Sequence, residues 1–367
     1  LVTNYAWEWV FLINVPVGIA AILATLAIVP ESVDPFASGR VDWGGILLSG
    51  FGTFALVYAA IEGNAFGWTS PVILGSFALS AILLTLFVWW ESRADDPMMK
   101  LELFAIRNFS VANILALATS FGMLGVFFPM TVFLQGALGL SPLEAGLAML
   151  PNGLVLMFVA PTAGRLSDKI GARWILVTGL SLMAIGIVAM IRQISPDATQ
   201  WSFVLPLTIT GVGMGMTFAP MTATAMRQVP PRIAGSASGI LNTTRNLGQV
   251  LGIAVLGSVL QSRLRVHAAE ALSQISNLDP DVGDTLGDLI ATGRVEAIPS
   301  ALPPGSENLL PLISGSVRQA FSLSMHETFA IGAVTCLLGA CVALLIQNPK
   351  PATVPSRQAR AETVTHA

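Results

Sequence analysis

Charge is what this sequence has least of. Only 11% of its 367 residues are Asp, Glu, Lys or Arg, where a soluble domain carries about 25%. That is too little to coat a water-facing surface. The three histidines are scattered, and His326-Glu327 runs into Thr328, Phe329 and Ala330, so it opens no H-E-x-x-H metal site. No Ser or Cys has a suitable base nearby in the sequence. The chain is therefore not read as an enzyme, and neither a cofactor nor a metal is expected. The two cysteines, Cys336 and Cys341, share one apolar run. Their spacing is poor for a disulfide, so they read as small packing residues. A basic stripe interleaved with aromatics is also missing, which excludes nucleic-acid binding. The opening residues do not read as a signal peptide either, since they carry no basic n-region and Glu8 stands just before a full apolar run. The chain reads as a fragment or a truncated product.

Apolar sequence is what remains. Hydrophobic residues make up 54% of the chain and the mean hydropathy is +0.73. A hydrocarbon core of roughly 30 Å needs about 20 apolar residues in helical form. Runs of that kind lie near 9–29, 43–62, 69–90, 109–134, 143–163, 174–194, 201–225, 234–260 and 326–346. The fold class is an all-α polytopic membrane protein with nine transmembrane helices in a lipid bilayer.

Orientation rests on the stretch from Pro161 to Arg173, P-T-A-G-R-L-S-D-K-I-G-A-R. Here Arg165, Lys169 and Arg173 accompany a single acid, Asp168, between two apolar runs. Cations favour the cytoplasmic side. Alternation from that loop then places Arg40, Arg93, Lys100, Arg107, Arg227, Arg232, Lys350, Arg357 and Arg360 inside as well. Twelve of the 18 cations fall inside, against Arg192 alone in the short outside loops. The long outside segment 261–325 is largely exempt from this rule. All eight tryptophans, from Trp7 and Trp9 to Trp174 and Trp201, fall at predicted span ends, where amphipathic rings settle. The C-terminus is thus expected in the cytoplasm.

Several positions stand out along the chain. Pro16 and Gly18 kink the first run, and 91–108 is a charged linker. Gln135, Glu144 and Asn152 are candidates for a cavity or a helix start. Ser141, Pro142 and Glu144 make an N-cap, first residue and favourably placed acid, which accounts for Glu144 without a proton-carrying role. Gly211/Gly215, Gly235/Gly239 and Gly248/Gly252 are spaced for close helix approach. Asn242, Arg245, Asn246 and Gln249 share one helical face. Arg245 either faces the bundle interior or a wet cavity, or snorkels in a structural role. In the outside segment, Leu310, Ile313, Val317 and Phe321 predict an amphipathic helix lying on the surface. The tail after Asn348 reads as disordered.

These stretches resemble the major facilitator superfamily, and within it the fourteen-helix drug:proton antiporters of the EmrB/QacA type. G-R-L-S-D-K-I-G-A-R (Gly164, Arg165, Asp168, Lys169, Gly171, Arg173) is similar to the superfamily's inter-helix loop motif. W-E-W-V-F-L-I-N-V-P-V-G is similar to the family's sixth helix, although Glu8 stands where a basic residue is more usual. The segments around Gln135–Pro151 and Ala234–Gly252 resemble the tenth-helix start and the thirteenth helix. The resemblance implies that 1–29 is the last helix of an N-terminal half and 30–108 an inserted helix pair with cytoplasmic loops. It further implies that 109–347 is the C-terminal six-helix half, with 261–325 an extracytoplasmic loop and 348–367 a cytoplasmic tail. The first five helices, which carry the family's membrane-embedded coupling acid, are then missing partners from the same protein. No acid lies at mid-membrane depth here, since Glu62, Glu144 and Glu327 sit at span ends. The implied function is part of a proton-coupled multidrug or small-molecule efflux transporter in the bacterial inner membrane, working by alternating access. Its partners are protons and small amphipathic or hydrophobic substrates. Asp168 is expected to contact an arginine or a helix N-terminus and hold the inside face closed, unless the cations only set topology. An exporter dedicated to one antibiotic or siderophore, or a non-transporting truncated remnant, are the alternatives.

Overall fold

The computed structural model describes residues 9–29, 41–195, 198–275, 279–303 and 309–348. Trp7 and Glu8, most of the 30–42 connector and the tail from 349 onward lie outside the described residues.

Residues 9–29 belong to a unit of their own. Helix α1 (Trp9–Leu12) stops at Ile13 and α2 (Asn14–Ile28) begins at once. Pro16 explains the break. It has no N–H to give the Leu12 carbonyl, so the ladder cannot run through. The kink expected at Pro16 is therefore an interruption one turn earlier.

The second unit begins at Asp42. All of its described regular structure is helical: α3 (Trp43–Phe66), α4 (Pro71–Glu91), α5 (Arg107–Val132), α6 (Pro142–Ile170), α7 (Ala172–Gln193), α8 (Val204–Met226), α9 (Ala234–Ser273), the shorter α10 (Pro280–Ala291) and α11 (Ile298–Ala301), and α12 (Leu310–Ala343). Among the described residues, eight helices are long and apolar enough to cross a membrane, and the shorter α2 is apolar as well. Local chemistry sets their starts. Asp42 caps α3, Ser70 caps α4 with Pro71 behind it, and Ser141 and Glu144 form a reciprocal capping box on α6. At its far end α5 runs on into a π-turn, Phe133–Ala137.

Packing joins α5 to α9, α7 to α8 and α6 to α8, with α12 against α5, α7 and α9. Phe109, Phe133, Phe203, Phe321 and Phe329 are fully buried between them. Outer faces stay apolar, as Leu143, Phe158, Trp201 and Leu205 show, which suits contact with lipid tails.

Two spans outrun their apolar stretches. α9 has 40 residues and α12 has 34, so α9 is about 60 Å long against a core of roughly 30 Å. Much of 261–325 is therefore not loop but the ends of these two helices. The surface-lying helix expected at 310–321 is instead the first part of α12. Ile313, Val317 and Phe321 are buried because this part of α12 packs on the extension of α9, where α10 packs as well. Arg263 Nε meets Glu327 Oε2 at 2.6 Å, and His267 Nε2 lies 3.2 Å from Glu327 Oε1, which fastens α9 to α12 near this end.

Candidate functional site

The helix carrying the G-R-L-S-D-K-I-G motif is longer than its hydropathy implies. α6 runs through Pro151 and Pro161 to Ile170, so Gly164, Arg165, Asp168 and Lys169 sit on its final turns. The connection to α7 is the single residue Gly171, at φ +89°. That left-handed conformation favours glycine, and an added Cβ would also strike the Asn348 side chain. Asp168 Oδ1 accepts from Arg227 Nη2 at 2.5 Å, tying the end of α6 to the end of α8. Arg173 does a different job. Its Nε donates to the Ile346 carbonyl at 2.7 Å, and its backbone N–H donates to Asn348 Oδ1 at 3.1 Å. Arg107 Nε reaches the Leu345 carbonyl at 3.1 Å, and Asn108 exchanges two hydrogen bonds with the Gln347 backbone. Three side chains thus bind the carbonyls of the segment that follows α12, and two of them bring the positive charge that a helix C-terminus favours. Arg165 and Lys169 are exposed, with no partner among the described residues.

The polar row on α9 divides. Gly248 and Gly252 are buried against α5, while Asn242 and Asn246 are exposed and Gln249 is half-buried. Arg245 lies at the flank. Its Nη2 donates to Thr222 Oγ1 of α8, its guanidinium carbon sits 5.7 Å from the Phe218 ring centre, and Nε is buried without a partner. The arginine therefore reaches across a gap in which α8 and α9 have little backbone contact. One turn of α9 nearby adds a link that sequence reasoning missed: Thr244 Oγ1 donates to Asn113 Oδ1 of α5 at 3.0 Å. The only signal for it was a lone amide, Asn113, inside an apolar run.

The remaining candidates separate. Gln135 rides on the π-turn of α5 and lines a cavity of about 650 Å³ with Asn64 of α3 and Thr131, Ser258 and Gln261. Asn64 accepts from Ser258 at 2.7 Å and donates to Gln261 at 2.9 Å, which joins α3 to α9. Glu144 is spent on its capping box, where its Oε2 accepts the Ser141 N–H at 2.8 Å. Asn152 is 5% exposed and donates to the Leu207 carbonyl of α8 at 3.2 Å, which makes it a bracket between α6 and α8.

Of the glycine pairs, Gly211 and Gly215 face the backbone and side chains of α6, and Gly248 and Gly252 face the backbone of α5. Among the described residues nothing approaches Gly235 or Gly239 within 4 Å, so the close approach expected of them is not made there. Their face of α9 turns away from α5. The contact of α7 with α8 instead uses Gly179, Gly186 and Gly213.

The sequence profile of the Major Facilitator Superfamily matches residues 1–253. This chain belongs to that superfamily. It is an integral membrane protein. The chain is 31% identical over 350 residues to the uncharacterized MFS-type transporter Rv1250 of Mycobacterium tuberculosis, covering 94% of this chain and 55% of that protein. It is 36% identical over 264 residues to the multidrug resistance protein Stp of the same organism, covering 72% and 49%. To the tetracenomycin C resistance and export protein of Streptomyces glaucescens it is 30% identical over 353 residues, covering 96% and 65%. The chain thus spans roughly half to two-thirds of the length of these superfamily relatives.

Proposed function

We propose that this chain is the C-terminal part of a proton-coupled exporter of small amphipathic molecules, of the fourteen-helix drug:proton antiporter type. In this reading α3 and α4 are the inserted pair, α5 to α9 with α12 form the C-terminal half, and the missing helices supply the coupling acid. Substrate passes along the α8–α9 side as the two halves rock around a midplane cavity. The protein sits in the bacterial inner membrane with its C-terminus in the cytoplasm. One observation carries the reading: Asn242 and Asn246 are exposed on a span whose other face is buried on α5. Exposed amides inside hydrocarbon are costly, whereas a water-lined path accommodates them, with Arg245 at its edge.

The test uses the complete protein in cells lacking other exporters. Arg245→Ala should lower efflux of a fluorescent dye about tenfold or more, the worth of a charge-assisted hydrogen bond, at unchanged membrane abundance. Efflux should stop in the wild type when the proton gradient is collapsed. Normal efflux by the variant refutes the role given to α9. A second reading, export of one dedicated compound, is favoured by the tetracenomycin C relative, which matches nearly the whole chain. A panel of unrelated dyes separates the two, because a dedicated exporter moves none of them.

A further inference from the structure

Where α3 begins and α4 ends, two carboxyl groups meet. Asp42 Oδ1 accepts the Gly45 N–H at 2.8 Å and the Trp90 indole N–H at 2.9 Å. Glu91, the last residue of α4, is only 3% exposed, and its Oε2 accepts the Met99 N–H at 3.0 Å. The remaining oxygens, Asp42 Oδ2 and Glu91 Oε1, are both buried, and among the described residues no donor reaches either. The two side chains stand within hydrogen-bond reach of each other. Both free oxygens crowd the space over Gly45, where a Cβ would come within 2.6 Å of Glu91 Oε1.

Two acceptors facing each other away from water repel if both are ionised, and such pairs keep one proton between them. We propose that Asp42 and Glu91 form a proton-binding site that holds one shared proton, and that this proton fixes the linker after α4 against α9. The proton resides on Glu91, and its O–H donates to Asp42 Oδ2. Asp42 is the better anion, since it has two N–H donors where Glu91 has one. Burial works against the Asp42 charge, but the Gly45 and Trp90 donors outweigh it and hold this carboxyl below its usual range.

The linker consequence follows from what sits on Glu91. Met99 donates to it, and the neighbouring residues bind the first turn of α9: Ser236 Oγ donates to the Met98 carbonyl at 2.9 Å and accepts the Lys100 N–H at 3.4 Å. Among the described residues, the cations of the adjoining linker are Lys100, whose ammonium lies 3.7 Å from Asp96, and Arg93, stacked 4.5 Å over the Trp89 ring. When Glu91 releases its proton to solvent, two negative charges face each other. Glu91 then turns out, and the Met99 N–H loses its acceptor.

The complete protein, purified in lipid discs, gives two readouts. Infrared spectroscopy should show a protonated-carboxyl carbonyl band near neutral pH that is lost in Glu91→Gln. Trypsin cleavage at Arg93 and Lys100 should rise with pH in the wild type and stay flat in Glu91→Gln, whose amide keeps a donor facing Asp42. A band that survives in the variant, or cleavage profiles that coincide, overturns the proposal. Glu91→Asp, which retains a titrating carboxyl, should keep a pH-dependent profile, and a flat one would count against the shared proton.

Discussion

Gly239 and Gly248 sit on the same helix in opposite surroundings. An ideal Cβ on Gly248 would lie 2.5 Å from the Leu117 carbonyl oxygen, whereas nothing lies within 4 Å of one on Gly239. Gly248→Ala should therefore cost about 1–3 kcal/mol, as overpacking does against a backbone that cannot move aside. Gly239→Ala should stay within about 0.5 kcal/mol. Thermal unfolding in detergent separates the two, and equal losses would mean that the α5–α9 contact is looser than described. The sequence made this distinction invisible, because both pairs share one spacing. Spacing says which glycines lie on a common face but not whether another helix covers it. For the same reason Arg245 was legible as an expensive charge needing a partner, while Thr222 and Asn113 were not. A single hydroxyl or amide in an apolar run has no period.

Among the elements, the free end of α12 is held more firmly than the motif beside it. Asn108 is 4% exposed and makes both of its hydrogen bonds to Gln347. Asn108→Ala removes both bonds to the Gln347 backbone, at about 0.5–1.5 kcal/mol each. Asp168 and Arg227 are 63% and 35% exposed, and solvent-screened pairs of this kind contribute about 0.2–1 kcal/mol. Asp168→Asn should thus lower thermal stability less than Asn108→Ala. A double-mutant cycle with Arg227→Gln should return a coupling in that small range. A coupling of several kcal/mol would contradict the screened geometry. Element existence was well legible from hydropathy, since each of the eight long helices overlaps an expected run. Helix ends were not. Hydropathy marks only the part of a helix that lipid can accept, whereas α9 and α12 end where their mutual packing ends, far past the apolar stretch.

At the scale of the whole molecule, orientation follows from the distribution of lysine and arginine. In a background lacking Cys336 and Cys341, cysteines replacing the exposed Ser92 and Ser300 should divide the two sides. An impermeant thiol reagent added to intact cells should label position 300 and spare position 92, and the reverse pattern would invert the topology. A surface that would receive the further helices proposed above was not legible, because a face made for another helix and a face made for lipid are equally apolar. The unbroken length of α9 also carries a mechanical consequence. The helix runs from the Asn242–Arg245 turn on one side to the turns that pack on α10 on the other. A stiff rod about 60 Å long is a lever. A tilt of about 10° about the Arg245 turn swings Arg263, about 27 Å along the rod, by about 5 Å, so a small repacking at Arg245 is magnified where Glu327 grips Arg263 and His267.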